Sequence, residues 1–121
     1  MNPSYVSSGK HMICDLKNIQ NMAALHSLDS LRDMFDTICA KHDFHVLEKT
    51  SHSFEPHGHT ILYLLSESHI SIHTFPEKQY AAVDIYTCRD YPDNRLYDEI
   101  YDYLVSVLAC DRENPIIINR G

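Results

Sequence analysis

From Ile61 to Cys88 the chain is made of short runs whose side-chain character is constant or alternates every second residue, and no other feature limits the fold as much. Ile61-Leu62-Tyr63-Leu64-Leu65 is a continuous apolar run, the pattern of a buried strand. Ser68 to Thr74 alternates Ile70 and Ile72 with His69, Ser71 and His73. Tyr80 to Cys88 alternates Val83, Ile85 and Thr87 with Ala82, Asp84, Tyr86 and Cys88. A period of two sends successive side chains to opposite faces of a strand. Pro76 has no N–H to donate and breaks the ladder between the last two runs. Strands this close in sequence are joined by tight turns, which makes them antiparallel neighbours.

The remaining segments supply the other layer. His11 to Leu16 alternates, with Met12, Cys14 and Leu16 on one face, and reads as a strand; residues 1 to 8 read as a loose lead-in closed by Gly9. Lys17 to Leu25 fits either a loop or a short helix. Leu28, Leu31, Phe35, Ile38 and Cys39 recur at helical spacing to about His42, with Ser27 or Asp29 as N-cap. Phe44 to Thr50 reads as a strand and His52 to Gly58 as a loop marked by Pro56 and Gly58. Asp93 caps a second helix with Leu96, Ile100, Leu104, Val107 and Leu108 on one stripe, ending near Ala109. Ile116 to Ile118 is a short closing strand after Pro115.

The order, read as β-α-β-β-β-α-β, predicts an α+β fold: an antiparallel β-sheet with two helices on one face. The other face then needs a cover, and a second subunit dimerising sheet to sheet, in an α/β/β/α sandwich, would supply it. The chain of 121 residues, with no internal linker or repeat, is expected to be a single domain, 1–121. A formal charge of −7, with Lys and Arg scattered, speaks against a nucleic-acid partner. No apolar run approaches the ~20 residues that span a bilayer, and the N-terminus lacks a charged-then-apolar signal pattern, so a cytoplasmic, non-membrane protein is expected. The four cysteines have no CxxC spacing. Cys14, Cys39 and Cys110 lie among apolar residues and read as core; only Cys88 lies beside the chemistry-bearing stretch.

That stretch is Ser66 to Glu77, with a Glu-Ser bond, two imidazoles and a carboxylate. His57 with His59 and His69 with His73 have spacings that share a strand face, as metal ligands should, but no carboxylate or cysteine completes a set, and no metal is expected. Ser68 or Cys88 with His73 would make a hydrolytic pair, yet the strand-to-helix glycine elbow that presents a serine nucleophile is missing. A third chemistry uses the Glu67-Ser68 bond itself. The serine hydroxyl attacks the Glu67 carbonyl, turning the amide into an ester. Elimination across the serine then leaves dehydroalanine, and hydration with loss of ammonia leaves a pyruvoyl ketone on a new chain end. Thr60 or Ser66 could hold the oxyanion and His73 move the protons. The residues permit all of this without preferring it.

The block Glu67 to Glu77 resembles the self-processing signature of the prokaryotic S-adenosylmethionine decarboxylases. The resemblance continues through Tyr80 to Cys88, through His52, Phe54, Pro56 and Gly58, and at Gly9-Lys10-His11, covering most of the chain from Gly9 to the second helix. It implies cleavage into a β chain, 1–67, and an α chain, 68–121. It implies a covalent pyruvoyl cofactor derived from Ser68, forming a Schiff base with substrate, with neither PLP nor metal. Glu67 would supply the cleavage-site carbonyl, Thr60 a hydroxyl assisting processing, His73 proton transfer in processing, and Cys88 the proton returned to carbon after carbon dioxide leaves. Phe54 would stack on adenine and Glu77 take the ribose hydroxyls. The function implied is a lyase acting on S-adenosylmethionine for spermidine synthesis, working as a homodimer of cleaved protomers with sites at the interface. Two alternatives stay open: the same machinery decarboxylating arginine or ornithine, or a non-cleaving, non-catalytic homologue acting as a binding partner. Plainer roles also stay open for single residues: Cys88 as a small buried residue, Phe54 as core, Glu77 as a solvated turn residue. Strict alternation would put Ser68 and His73 on opposite faces, so a bend or bulge is expected between them.

Overall fold

A computed structural model describes residues 8–121; the expected lead-in falls largely on residues 1–7, outside the described residues. The elements are β1 (Gly9–Leu16), α1 (Met22–His26), α2 (Leu28–Lys41), β2 (Val46–Ser53), β3 (His59–Leu65), β4 (Ser68–Phe75), β5 (Tyr80–Thr87), α3 (Arg95–Leu108) and β6 (Ile116–Arg120), with a 3-10 turn at Pro76–Lys78. All six strands form one antiparallel sheet in the order β2-β3-β4-β5-β1-β6. The α+β class and the antiparallel sheet are as expected; the strand count is not. Four strands, not three, lie between α2 and α3, because the apolar run and the alternating run after it are separate strands joined by the Ser66-Glu67 turn. The ambiguous stretch before Ser27 contains the short helix α1, capped by the Asn21 side chain.

Period two is kept strictly in the central strands. Met12, Cys14 and Leu16 of β1, Ile61, Tyr63 and Leu65 of β3, Ile70 and Ile72 of β4, and Ala81, Val83 and Ile85 of β5 are buried with Leu31, Phe35 and Ile38 of α2 and Ile100, Leu104 and Leu108 of α3. The helices therefore cover one face only. On the other face Leu62, Leu64, Phe75, Ile116 and Ile118 are exposed, between 38% and 59%. Burying an apolar side chain of this size contributes roughly 1.5–3 kcal/mol, so this face gains from a cover.

Local chemistry explains the helix ends. Ser27 is the α2 cap, its hydroxyl accepting the Ser30 N–H at 3.1 Å, and Asp29 lies in the first turn. At α3 the expected cap Asp93 sits one residue before Asn94, the N-cap, and still accepts the Arg95 N–H at 3.0 Å. The buried stripe of α3 uses Tyr97 and Tyr101 rather than Leu96 and Val107. Both tyrosines close on a polar partner: the Tyr97 and Thr87 hydroxyls are 2.6 Å apart, and the Tyr101 hydroxyl accepts the Glu113 N–H at 2.6 Å. Strand β2 begins later than expected and runs through His52, leaving Phe44 buried in the α2–β2 connection. Among the described residues no helix is long and apolar enough to cross a membrane.

The expected bend in β4 is absent. Pairing with β5 runs without a break from Ser68 opposite Thr87 to Phe75 opposite Tyr80. Beside the Thr87 end of β5, Gly9 at the start of β1 has φ +120, and a Cβ there would lie 1.9 Å from the Thr87 carbonyl oxygen and 2.9 Å from the Cys88 Cα. Gly9→Ala is therefore expected to lower stability by roughly 2–4 kcal/mol through positive-φ strain and backbone overlap. Urea unfolding measures this, and an unchanged midpoint would contradict the close approach.

Candidate active site

Two groups of the predicted residues stand at opposite ends of β4. At the first end, Ser68 opens β4 directly after the Ser66-Glu67 turn and is 8% exposed, facing the helix layer. Its hydroxyl oxygen accepts the Cys88 N–H at 3.3 Å. Cys88 follows β5 and is exposed, so it is not a buried core thiol. Its S–H donates to the Tyr86 hydroxyl at 3.6 Å, and that hydroxyl donates to the Ser8 carbonyl at 2.6 Å. Hydrogen bonding to Cys88, helped by desolvation, pushes the Tyr86 phenol above its ordinary pKa. By contrast, burial pushes the Cys14 thiol up to about 12 and Cys39 to about 11, which suits inert core residues. Glu67 in the turn accepts the Arg89 Nε–H at 2.7 Å.

At the second end, Thr60 pairs with His73 across β3 and β4, and the Thr60 hydroxyl lies 2.9 Å from His73 Nδ1. These two line a cleft of about 250 Å³ with Phe54, Phe75 and Glu77. Phe54 is 52% exposed, so it is not core; its ring stands edge-on to His52 at 4.6 Å. Glu77 is not simply solvated, since its carboxylate lies 3.3 Å from His57 Nε2. A largely apolar wall with a half-exposed aromatic ring, a hydroxyl–imidazole pair and a carboxylate suits a ligand with a flat ring and polar hydroxyls.

Four residues of strand lie between Ser68 and His73, and the five steps from one to the other span roughly 16 Å along β4 at the usual strand rise. Their side chains also take opposite faces, Ser68 towards the helices and His73 towards the open side. One chain thus brings Thr60, His73, Phe54 and Glu77 together, and Ser68, Glu67 and Cys88 together, but does not bring the two groups into contact. Sequence reasoning did not single out Tyr86 or Arg89. Tyr86 had a signal, since alternation puts it on the same face as Cys88; Arg89 had little, because apart from the Tyr91 hydroxyl its partners lie 22 to 47 residues away.

Between the two ends, the open face carries His69 with its ring 6.4 Å from that of His11 and 5.9 Å from that of Tyr86. His11 Nε2 lies 3.6 Å from the Asp84 carboxylate, and Arg120 stacks on Tyr86 at 5.3 Å. Among the described residues no three histidines, cysteines or carboxylates are gathered so as to hold a metal ion.

The family model described as S-adenosylmethionine decarboxylase matches residues 10–121. An S-adenosylmethionine decarboxylase proenzyme 2 of Bacillus cereus is 40% identical over 117 residues, 97% of this chain and 92% of the relative. An S-adenosylmethionine decarboxylase proenzyme of Parasynechococcus marenigrum is 40% identical over 115 residues, 91% of this chain and 89% of the relative. The crystal structure of the adenosylmethionine decarboxylase of Aquifex aeolicus superposes with a TM-score of 0.82 at 28% identity, covering 96% of this chain and 92% of that one.

Desolvation, then repulsion from His11, lowers the His69 pKa below the ordinary imidazole value, and desolvation lowers that of His42. With the folded pKa depressed, the unfolded chain takes up the proton first as pH falls. Stability is therefore complete above the unfolded value of about 6.5 and declines as pH drops through it, levelling below the folded pKa. Urea unfolding at pH 7.5 and 5.5 is expected to show this loss, and His69→Gln to reduce it, leaving the part due to His42. An identical pH response in that variant would count against the assignment.

Proposed function

The chain belongs to the S-adenosylmethionine decarboxylase family, and from that premise we propose that it is a proenzyme that cuts itself between Glu67 and Ser68 and then decarboxylates S-adenosylmethionine, yielding the aminopropyl donor for polyamine synthesis. The observation that carries this reading is the location of Ser68, the first residue of β4 after a two-residue turn. A break before it costs no rung of the β3–β4 or β4–β5 ladders, which begin at His69 and Ser68.

In the cut, the Ser68 hydroxyl oxygen bonds to the Glu67 carbonyl carbon while the C–N bond breaks. The hydroxyl proton ends on the freed Ser68 amine, so amide and ester are isomers. Removal of the Ser68 α-proton then expels the ester as the new C-terminal carboxylate of Glu67. Residue 68 is left as an enamine; its imine tautomer takes up water and loses ammonia. The residues present fit the resulting pyruvoyl group: the Cys88 N–H points at residue 68, and the Cys88 thiol hangs at the adjoining strand end. When formed, that ketone supplies an electron-withdrawing carbonyl to which a substrate amine can attach.

The other residues act around it. Cys88 returns a proton to the carbon that has lost carbon dioxide, its S–H held by Tyr86. Phe54, half-exposed in the cleft, stacks on the adenine and faces the sulfonium charge. Glu77 accepts the ribose hydroxyls. His73, oriented by Thr60, moves protons in processing. Since one chain holds these groups ~16 Å apart, the site is completed by two copies stacked by their open faces. A two-fold axis through the middle of the sheet lays the Thr60–His73 end of one copy on the Ser68–Cys88 end of the other, and covers Leu62, Leu64 and Phe75.

Denaturing gels of the purified chain should show two fragments dividing at residue 67, and Ser68→Ala a single 14.0 kDa band. Cys88→Ala should still cut but release carbon dioxide from carboxyl-labelled S-adenosylmethionine about 10²–10⁴-fold more slowly. Mixing the sites gives a separate test. Ser68→Ala and His73→Ala, each inactive alone, should regain part of the wild-type activity when co-expressed. No recovery, with mixed dimers present, would oppose the shared site; an active, uncut wild type would end the whole reading.

A further inference from the structure

Arg89 follows Cys88 and has no part in the chemistry above, yet its guanidinium is the most heavily engaged cation near the cleavage turn. Its Nε–H donates to Glu67 Oε1 at 2.7 Å. Its Nη2 donates to the Asp43 carbonyl at 2.7 Å and its Nη1 to the His42 carbonyl at 3.2 Å. The Phe44 ring lies 5.1 Å from its Cζ. His42 is the C-cap of α2 and Asp43 the residue after it, where unpaired carbonyls and the negative pole of the helix favour a cation. The backbone of the turn is fastened to the same segment, because the Ser66 N–H donates to the His45 carbonyl at 3.0 Å.

The turn is thus held at two consecutive residues, by its main chain at Ser66 and by its side chain at Glu67. Glu67 owns the carbonyl carbon that Ser68 attacks. Fixing its carboxylate limits rotation of the Glu67-Ser68 peptide plane, and an acyl shift onto a neighbouring hydroxyl depends steeply on that orientation. We propose that Arg89 is a positioning residue for self-cleavage: it anchors Glu67 to the end of α2 so that the scissile carbonyl stays in line with the Ser68 hydroxyl. After the cut, the same contacts bridge the two chains, since Arg89 lies on the α chain and Glu67, His42 and Asp43 on the β chain. This inference rests on the cut proposed at Glu67-Ser68.

The test follows conversion of full-length protein to fragments on denaturing gels for wild type, Arg89→Gln, Arg89→Lys, Glu67→Ala and the double variant Glu67→Ala/Arg89→Gln, with melting temperature measured in a Ser68→Ala background. Arg89→Gln is expected to slow the cut roughly five- to a hundredfold, with Arg89→Lys recovering part of the rate. The double variant should be no slower than the slower single one, because both remove one interaction. Hydroxylamine, which cleaves esters, should not speed the cut in Arg89→Gln, since the block comes before the ester. Both side chains are partly exposed, at 31% and 46%, so the folded state should survive; should Arg89→Gln fail to fold, Glu67→Ala alone reads the pair. Wild-type rates in Arg89→Gln or, failing that, Glu67→Ala, additive effects, or rapid hydroxylamine cleavage would each overturn the positioning role while leaving the cut intact. A wild type that never cuts would instead remove the reading beneath it.

Discussion

The ladder between β4 and β5 governs this molecule. Eight consecutive pairs, from Ser68 opposite Thr87 to Phe75 opposite Tyr80, hold β4 in one register. A slip of one residue would exchange its faces, sending Ile70 and Ile72 into solvent and His69, Ser71 and His73 into the core. Burial of the two isoleucines, each 0% exposed, therefore dictates the direction of every reactive group on the strand. Ser68 must share the helix side with Ile70, and His73 must share the open side with Phe75. The same ladder holds Ser68 against Thr87 and so against the Cys88 N–H. Core packing and the arrangement of chemical groups are one constraint here, which explains how a domain this small carries both.

The sequence was most informative where a single local period decides structure. Alternation located β1, β4 and β5 and sorted their faces correctly, because one buried face leaves a clear mark on every second residue. The helical stripe of α2 was equally legible. Tyrosines blurred α3: Tyr97 and Tyr101 bury their rings while satisfying their hydroxyls through Thr87 and the Glu113 N–H, partners that no helical pattern reveals. The expected bend in β4 was the instructive miss. It assumed that Ser68 and His73 must meet within one chain. The pairing is regular instead, and the gap between them is filled only by a second copy in the proposed assembly. Strand alternation describes one chain at a time; only the family resemblance suggested a site shared between two copies. Arg89 lay hidden for a related reason: Glu67, His42 and Asp43, which it holds, are distant in the chain.

Thr60 and Ile61 illustrate how adjacent residues divide their duties. Ile61 is fully buried against the helices, whereas Thr60 turns to the open face and meets His73. The bulk of Ile61 is thus spent in the core and stays out of the cleft. Its neighbour's hydroxyl can orient the imidazole without interference, so the β3–β4 register serves the site as directly as the β4–β5 register does.

The sheet order has a further consequence for a chain cut before Ser68. The segment ahead of the cut contributes β1, β2 and β3, the segment after it β4, β5 and β6, and β1 is inserted between β5 and β6. The halves are woven, not merely docked: pulling them apart would open three seams, β3–β4, β5–β1 and β1–β6. In the intact chain those seams close at the entropic cost of ordinary loops, whereas two loose pieces would have to find each other at whatever concentration the solution offers. Continuity of the backbone thus matters most on the way in. Once the weave is made, the bond can be given up to chemistry, and the mature molecule persists in a form that its own fragments would be slow to rebuild.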